Sequence, residues 1–308
     1  ENNNIWAYNH FFDASKPTLL LNSHHDTVKP NQGYTLDPFE PIEQDGKLFG
    51  LGSNDAGGCL VSLLATFTHF FPLENLPYNL VMVASAEEES SGKKGLNSVL
   101  KHLPELECAI VGEPTLMQLA IAEKGLLVLD VVVKGTASHA AHHNPDNPIY
   151  NAMSVIEWFK TYQFEKISEV LGPVKMTVTQ VNAGKQHNVV PAECHLVVDI
   201  RVNDYYNNTE ILETVRTNVA AEVTPRSMHL NASSIPVNHG LVQAGIELGR
   251  TTYGSPTLSD QSVLYCKSLK LGPGESLRSH SADEFIFINE REEGIQLYIK
   301  ILTDFLKK

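Results

Sequence analysis

Five side chains of metal-ligand type occur along the chain, each close behind or within a segment that ends an apolar run: His24, Asp55, Glu89, Glu113 and His280. His24 and Asp26 close the run 18–23 in the triplet His24-His25-Asp26. Asp55 sits in the glycine-rich stretch 50–58, and Glu87-Glu88-Glu89 follows the apolar run 80–84. Glu113 follows 108–111 in Gly112-Glu113-Pro114, and His280 opens His280-Ser281-Ala282-Asp283-Glu284. In open α/β sheets, sites form beyond the carboxyl ends of strands. Imidazole with carboxylate suits zinc, and carboxylate-rich paired sites suit two-metal hydrolysis.

Each segment also has a plainer explanation. Residues two apart on a strand point to one side. Asp26 can therefore accept from the second ring nitrogen of His24 and fix its tautomer, or the two are simply polar residues leaving a strand. Asp55 precedes a helix, so it can cap that helix. Its two oxygens can instead bridge ions roughly 3.5–4 Å apart. A glutamate run is usually a solvated face, but this one directly follows an apolar strand. Adjacent side chains in an irregular loop diverge, so one can reach a metal and the other a water. Pro114 holds the loop after Glu113 extended, although a lone glutamate after a strand is more often exposed. His280 lies in what could be a polar surface loop. Gly272-Pro273-Gly274 before it fits a turn whose backbone approaches a substrate.

Taken in order, from Leu19 to the last helix, these segments resemble the M20 metallopeptidase family. Its members include acetylornithine deacetylase, succinyl-diaminopimelate desuccinylase, aminoacylase and carboxypeptidase G2. The resemblance implies two zinc ions, for which cobalt or manganese can substitute. His24 and Glu113 would hold one, Glu89 and His280 the other, with Asp55 bridging. Glu88 would be the general base and Asp26 the partner of His24. The peptide bond between Asp55 and Ala56 would be cis. Glu87 departs from the aspartate usual at its position. His139, in Gly135-Thr136-Ala137-Ser138-His139, resembles the lid histidine that reaches the partner subunit's site and stabilises the oxyanion. Asn188, Arg201 and Gly274 resemble substrate contacts, Arg201 holding a carboxylate bidentately. For His139, Asn188 and Arg201 a structural role is nearly as good an explanation.

The implied activity is removal of an acetyl or succinyl group from an N-acyl amino acid. The texture of the segments points to N-acylornithine or N-acylcitrulline, in arginine biosynthesis. Alternatives are a succinyl-diaminopimelate desuccinylase, an M20 dipeptidase or carboxypeptidase, and a noncatalytic binding protein on the same fold. The complete set of ligands and base argues against the last. His24 comes early for the family, so a further N-terminal helical segment is expected upstream of Glu1.

The elements that must position these residues read as two domains. The chain has 308 residues, 42% hydrophobic and 19% charged, which suits a globular protein. No apolar run approaches the roughly 20 residues of a membrane span, and no stretch reads as a signal peptide. Cys59, Cys108, Cys194 and Cys266 are scattered without a CxxC pair, as in a reduced cytoplasmic protein. A formal net charge of −13 argues against nucleic acid as a partner. Residues 1–122 alternate strands (3–8, 18–23, 79–84, 108–112) with helices (56–71, 95–102), which implies a mainly parallel sheet. Residues 123–232 read as strand 126–134, helix 148–162, strands 174–181 and 192–202, helix 208–223 and strand 226–231. That order is the ferredoxin-like β-α-β-β-α-β motif, inserted as a lid. Residues 233–308 complete the first domain with helices 239–253 and 289–305. The insert leaves edge strands to be covered, so a homodimer through it is expected.

Overall fold

Every residue of the strand Thr18–His24 is buried, as expected of an apolar run with parallel neighbours on both sides. In the computed structural model, which describes residues 2–307, this strand is central to a mixed eight-stranded sheet. The spatial order is Ile5–Tyr8, Asn79–Ser85, Thr18–His24, Leu106–Val111, Lys267–Lys270, Leu119–Glu123, Ser233–Ser234, and Thr252–Ser255 pairs beside Leu119–Glu123. The four strands from Asn79–Ser85 to Lys267–Lys270 are mutually parallel, and Ile5–Tyr8 is an antiparallel edge. Helices Gly58–Phe70 and Ile288–Lys307 contribute Leu63, Phe67, Leu302 and Phe305 to one apolar core with Leu19, Leu21, Leu80 and Ile110.

The register matters for function. His24 lies opposite Ser85, and Asn22 opposite Val111. The parallel strands therefore end together, and the loops holding Glu88, Glu89 and Glu113 leave the sheet beside His24.

A second, three-stranded sheet holds the other two ligand loops. Ile42–Gln44 and Lys47–Phe49 form a hairpin around Asp45 (φ 51) and Gly46 (φ 72). Two positive φ values are what a two-residue hairpin turn requires, and Asp-Gly supplies them. Phe285–Phe287 adds to this hairpin with Phe285 opposite Phe49. The segment leading to Asp55 is thereby tied to the segment leaving His280.

The chain separates into two compact units. One runs to Ala122 and resumes at Ser233, and the other is Glu123–Ala232. In the second unit the sheet order is Lys175–Ala183, Glu193–Val202, Gly125–Lys134, Glu222–Pro225, all antiparallel. Gly125–Lys134 alternates buried and half-buried residues. Leu127, Leu129, Val131 and Val133 face a core shared with Ile211 and Val215 of helix Asn208–Asn218. Helix Pro148–Thr161 starts where the Asn147 side chain accepts the Ile149 N–H at 3.0 Å.

Three expected elements shift. The helix expected over 208–223 ends at Asn218, and the last strand is Glu222–Pro225 rather than 226–231. Ala220 and Ala221 favour helix locally, but Val223 is needed opposite Val131. The helix expected over 239–253 is Gly240–Glu247, followed by a strand at Thr252–Ser255. Gly249 (φ 79) turns the chain there, the conformation that ends helices at glycine. Strands Leu119–Glu123 and Lys267–Lys270 were not expected at all. Among the described residues, no helix is long and apolar enough to cross a membrane.

Candidate metal centre

The strand-end histidine points its Nε2 at two carboxylates. His24 Nε2 is 3.2 Å from Asp55 Oδ1 and 3.8 Å from Glu113 Oε1. On the other side of Asp55, His280 Nε2 is 3.6 Å from Oδ2 and 3.0 Å from Glu89 Oε2. Two groups of potential ligands result, His24–Asp55–Glu113 and Asp55–Glu89–His280, with the ligand atoms of each group within 4.8 Å of one another. Asp55 belongs to both and turns a different oxygen to each. This donor chemistry, one imidazole and two carboxylates per group with one carboxylate shared, fits a pair of divalent metals. The His24 side chain is 1% exposed and that of His280 54%, so the site opens on the His280 side.

Backbone geometry sets these directions. Asp55 and Ala56 interrupt the turn before helix Gly58–Phe70 with non-helical angles, and the Asp55–Ala56 peptide bond is cis. Glu87 takes a positive φ of 57 and turns its carboxylate back to the Lys94 N–H at 3.1 Å. Glu88 and Glu89 are left to line the cavity. The Asp26 carboxylate accepts the N–H groups of Glu88 and Glu89, both at 3.2 Å. Its Oδ1 is 3.5 Å from His24 Nδ1, whereas its backbone carbonyl is closer, at 3.0 Å. Asp26 therefore braces the glutamate loop as well as the imidazole, a link the local spacing could not reveal.

The electrostatics follow from burial among acids. Burial pulls the His24 imidazole down, but Asp26, Asp55 and Glu113 outweigh it and leave its pKa raised. Burial pushes the Glu88 carboxyl up to about 10, with Glu113 adding to the rise and His24 opposing it. Burial also raises Glu89, with Asp55 adding to it. For Asp55 burial acts upward, but the His24 contact prevails and its pKa is lowered. Divalent cations at this place would favour the charged form of every one of these carboxylates.

Asp55, Glu88, Glu89, Glu113 and His280 open onto a cavity of 450 Å³, whose wall also includes Tyr253, Ser255, Thr257, Lys270, Ser276 and Ser279. Among the described residues, Lys270 is the one lysine or arginine in that wall. It is 3% exposed, and its Nζ donates to the Thr257 carbonyl at 3.2 Å and to Thr257 Oγ1 at 3.1 Å. Gly274 does not line the cavity. It is buried at φ 87, where a Cβ would lie 2.5 Å from Asn54 Oδ1.

Behind the site lies Asp260, which sequence reading missed. Its Oδ2 accepts from Asn22 Nδ2 at 2.8 Å and from Ser85 Oγ at 2.5 Å. The available signal was a polar residue inside each of two apolar strands. Glu284 was also missed; its carboxylate accepts three backbone N–H groups around Asp55.

The remaining expected residues lie in the inserted unit. His139 is exposed in the short strand Ser138–His139, opposite Val189 of Val189–Val190. The Asn188 carbonyl accepts from the Ala140 N–H at 3.0 Å, so His139 and Asn188 share one ribbon. Arg201 stands on Glu193–Val202, where Nε and Nη2 donate to the two oxygens of Asp199 at 2.8 and 3.1 Å. Its fork is thus engaged within the unit.

Known proteins are similar to this chain in sequence or in architecture. The profile of peptidase family M20/M25/M40 matches residues 20–304. A succinyl-diaminopimelate desuccinylase of Acidiphilium cryptum is 28% identical over 317 residues, covering 94% of this chain and 83% of that one. An M20 family metallo-carboxypeptidase from Sulfolobus solfataricus superposes with a TM-score of 0.74 at 16% identity, over 99% of this chain and 88% of that one. A dinuclear metal-binding peptidase of the M20 family from Bacillus subtilis gives a TM-score of 0.68 at 14% identity, over 98% and 85% of the two chains. With a match across nearly its whole length, a mainly parallel α/β sheet and shared-carboxylate ligand groups at its strand ends, the chain belongs to peptidase family M20/M25/M40.

Proposed function

We propose that the protein is a two-metal amide hydrolase that removes a succinyl group from the amine of an N-succinyl amino acid. The observation carrying this is Asp55, whose two oxygens face two histidines, each with its own glutamate. His24, Asp55 and Glu113 would hold one ion, and Asp55, Glu89 and His280 the other. Bound there, two zinc ions (or cobalt or manganese) supply Lewis acidity for the amide carbonyl and lower the pKa of the attacking water.

The chain's own groups do the rest. Glu88 takes the proton of the attacking water and passes it to the leaving amine as the C–N bond breaks. Asp26 holds the N–H groups of Glu88 and Glu89 and keeps that base in place. His139, contributed by the partner subunit of a homodimer formed through residues 123–232, donates to the developing oxyanion. Asn188 contacts the substrate beside it. Arg201 would hold the amino-acid carboxylate only by exchanging it for Asp199.

Lys270 supports succinyl over acetyl. An ammonium in the wall of the cavity matches the free carboxylate of a succinyl group, whereas an acetyl methyl has no use for it. The relative named as a desuccinylase points the same way. The amino acid released is ornithine or citrulline on the texture of the ligand segments, and diaminopimelate on the relative's name. The first belongs to arginine biosynthesis and the second to lysine biosynthesis. Four cysteines without a disulfide among them support a reducing, cytoplasmic setting.

The test is a panel with zinc-loaded protein: succinylornithine, succinylcitrulline, succinyl-diaminopimelate, acetylornithine, acetylcitrulline and a dipeptide. Succinyl substrates are expected to exceed their acetyl counterparts in kcat/KM by about tenfold or more. Cleavage of the dipeptide alone would replace the deacylase reading with a peptidase.

A further inference from the structure

Glu284 is a carboxylate with 1% exposure, four residues past His280. Its Oε1 accepts the N–H groups of Asn54 at 2.9 Å and Asp55 at 2.8 Å, and its Oε2 accepts that of Gly52 at 3.2 Å. Its own carbonyl accepts the Gly50 N–H at 3.0 Å. One residue thus grips four positions of the turn that presents Asp55.

It reaches them through the small sheet. Because Phe49 pairs with Phe285, the residue after the first and the residue before the second face each other. Asn54 laces the same two segments from the other side. Its Oδ1 accepts the Glu275 N–H at 3.0 Å, and its Nδ2 donates to the Glu275 carbonyl at 3.1 Å and to Ser279 Oγ at 3.3 Å. His280 follows Ser279 directly, at a positive φ of 60. Neither Asp55 nor His280 sits on a regular strand, unlike His24. The distance between them depends on whatever ties their two loops together.

We propose that Glu284 is a positioning residue for the metal pair: it locks the Asp55 turn to the His280 loop, so that each Asp55 oxygen stays aimed at its own subsite. This rests on the two-metal reading above. A backbone rotation at Asp55 would move both oxygens at once, and three N–H groups held by one buried carboxylate resist it. Glutamine keeps the shape but turns an NH₂ toward one or more of these donors. Groups that orient metal ligands in this way typically change metal affinity by about 10–100-fold when replaced.

The experiment is a zinc titration of the metal-stripped full chain against a competing chelator. Wild type, Glu284→Gln and Glu284→Ala are compared, with Val242→Ala, in the buried face of helix Gly240–Glu247, as a control for stability alone. Wild type is expected to bind two zinc ions. Glu284→Gln is expected to lose about 10–100-fold in affinity for at least one of them, while Val242→Ala binds as wild type does. Equal zinc affinity in Glu284→Gln and wild type overturns the proposal, as does an equal loss in Val242→Ala. Fewer than two zinc ions in wild type removes the two-metal reading itself, before any variant is considered. Hydrogen exchange on metal-free wild type needs no variant. The Gly52, Asn54 and Asp55 amides are expected to be protected, and exchange at the rate of an unstructured chain overturns the proposal even if the variants do not fold.

Discussion

Glu88 is separated from Glu89 by one peptide bond, yet the two are assigned different work. Glu89 lies 3.0 Å from His280, whereas the largest carboxylate influence on Glu88 is Glu113. Replacing Glu88 with glutamine keeps the shape and removes the ability to take a proton. Metal content is expected to stay at the wild-type level while turnover falls by roughly 10²–10⁴-fold or more. Comparable turnover in Glu88→Gln, measured on protein with verified metal content, would move the base to another residue of the run. Lys270 allows a finer test. In Lys270→Met, kcat/KM is expected to drop by about 10–100-fold for succinyl substrates and little for acetyl ones, the scale set by leaving a buried polar partner unpaired. An equal drop for both classes would make Lys270 a structural brace rather than a substrate contact.

At the scale of the element, helix Gly240–Glu247 depends on a histidine as its cap. His239 Nδ1 accepts the Leu241 N–H at 3.3 Å, which requires that nitrogen to be unprotonated. Burial pulls the His239 pKa below its ordinary value, with Lys267 adding to the fall. The sign follows directly. A folded-state pKa below the unfolded value of about 6.5 means that the fold prefers the neutral ring. The contribution is complete above that value and is lost as the pH falls through the lower, folded pKa. Thermal unfolding is therefore expected to show a loss of stability from pH 7 toward pH 5 that is smaller in His239→Asn, which caps at every pH in that range. Identical pH profiles for the two proteins would exclude the histidine as the cause.

At the scale of the whole molecule, the inserted unit has an edge to account for. Lys175–Ala183 ends its sheet, and Val181 is 55% exposed there. Tyr150 and Met153, 69% and 66% exposed, stand on helix Pro148–Thr161 of the same unit. Exposed edges and apolar side chains of this kind are usually covered. Sedimentation is expected to show a homodimer that persists when residues 123–232 are intact and is lost when Val181 and Met153 are replaced by lysine. If His139 acts across that interface, mixing the inactive variants His139→Ala and Glu88→Gln restores activity that neither has alone. A monomer with undiminished activity at low concentration would eliminate catalysis between subunits.

What could be read from the residues alone was local. A ligand-type residue closing a buried run such as Leu19-Leu20-Leu21 is visible because an apolar run long enough for one strand shows where that strand stops. The mainly parallel α/β class and the β-α-β-β-α-β order of the insert were legible for the same reason: periodicity and run length are short-range properties. Strand Lys267–Lys270 escaped because it is four residues long and carries lysine at both ends, so no local pattern separates it from a loop. The bracing of the glutamate loop by Asp26, the place of Lys270 in the cavity wall and the long-range contacts of Asp260 and Glu284 lay beyond any local pattern. Glu284 meets Asp55 across 229 residues, and Asp260 meets Asn22 across 238. Such contacts are decided by the register of paired strands, here Phe49 with Phe285 and Asn22 with Val111. Shifting either pairing by one residue would turn these side chains to the opposite face. The sequence determined which groups are available for the chemistry; the pairing of distant strands decided which of them meet.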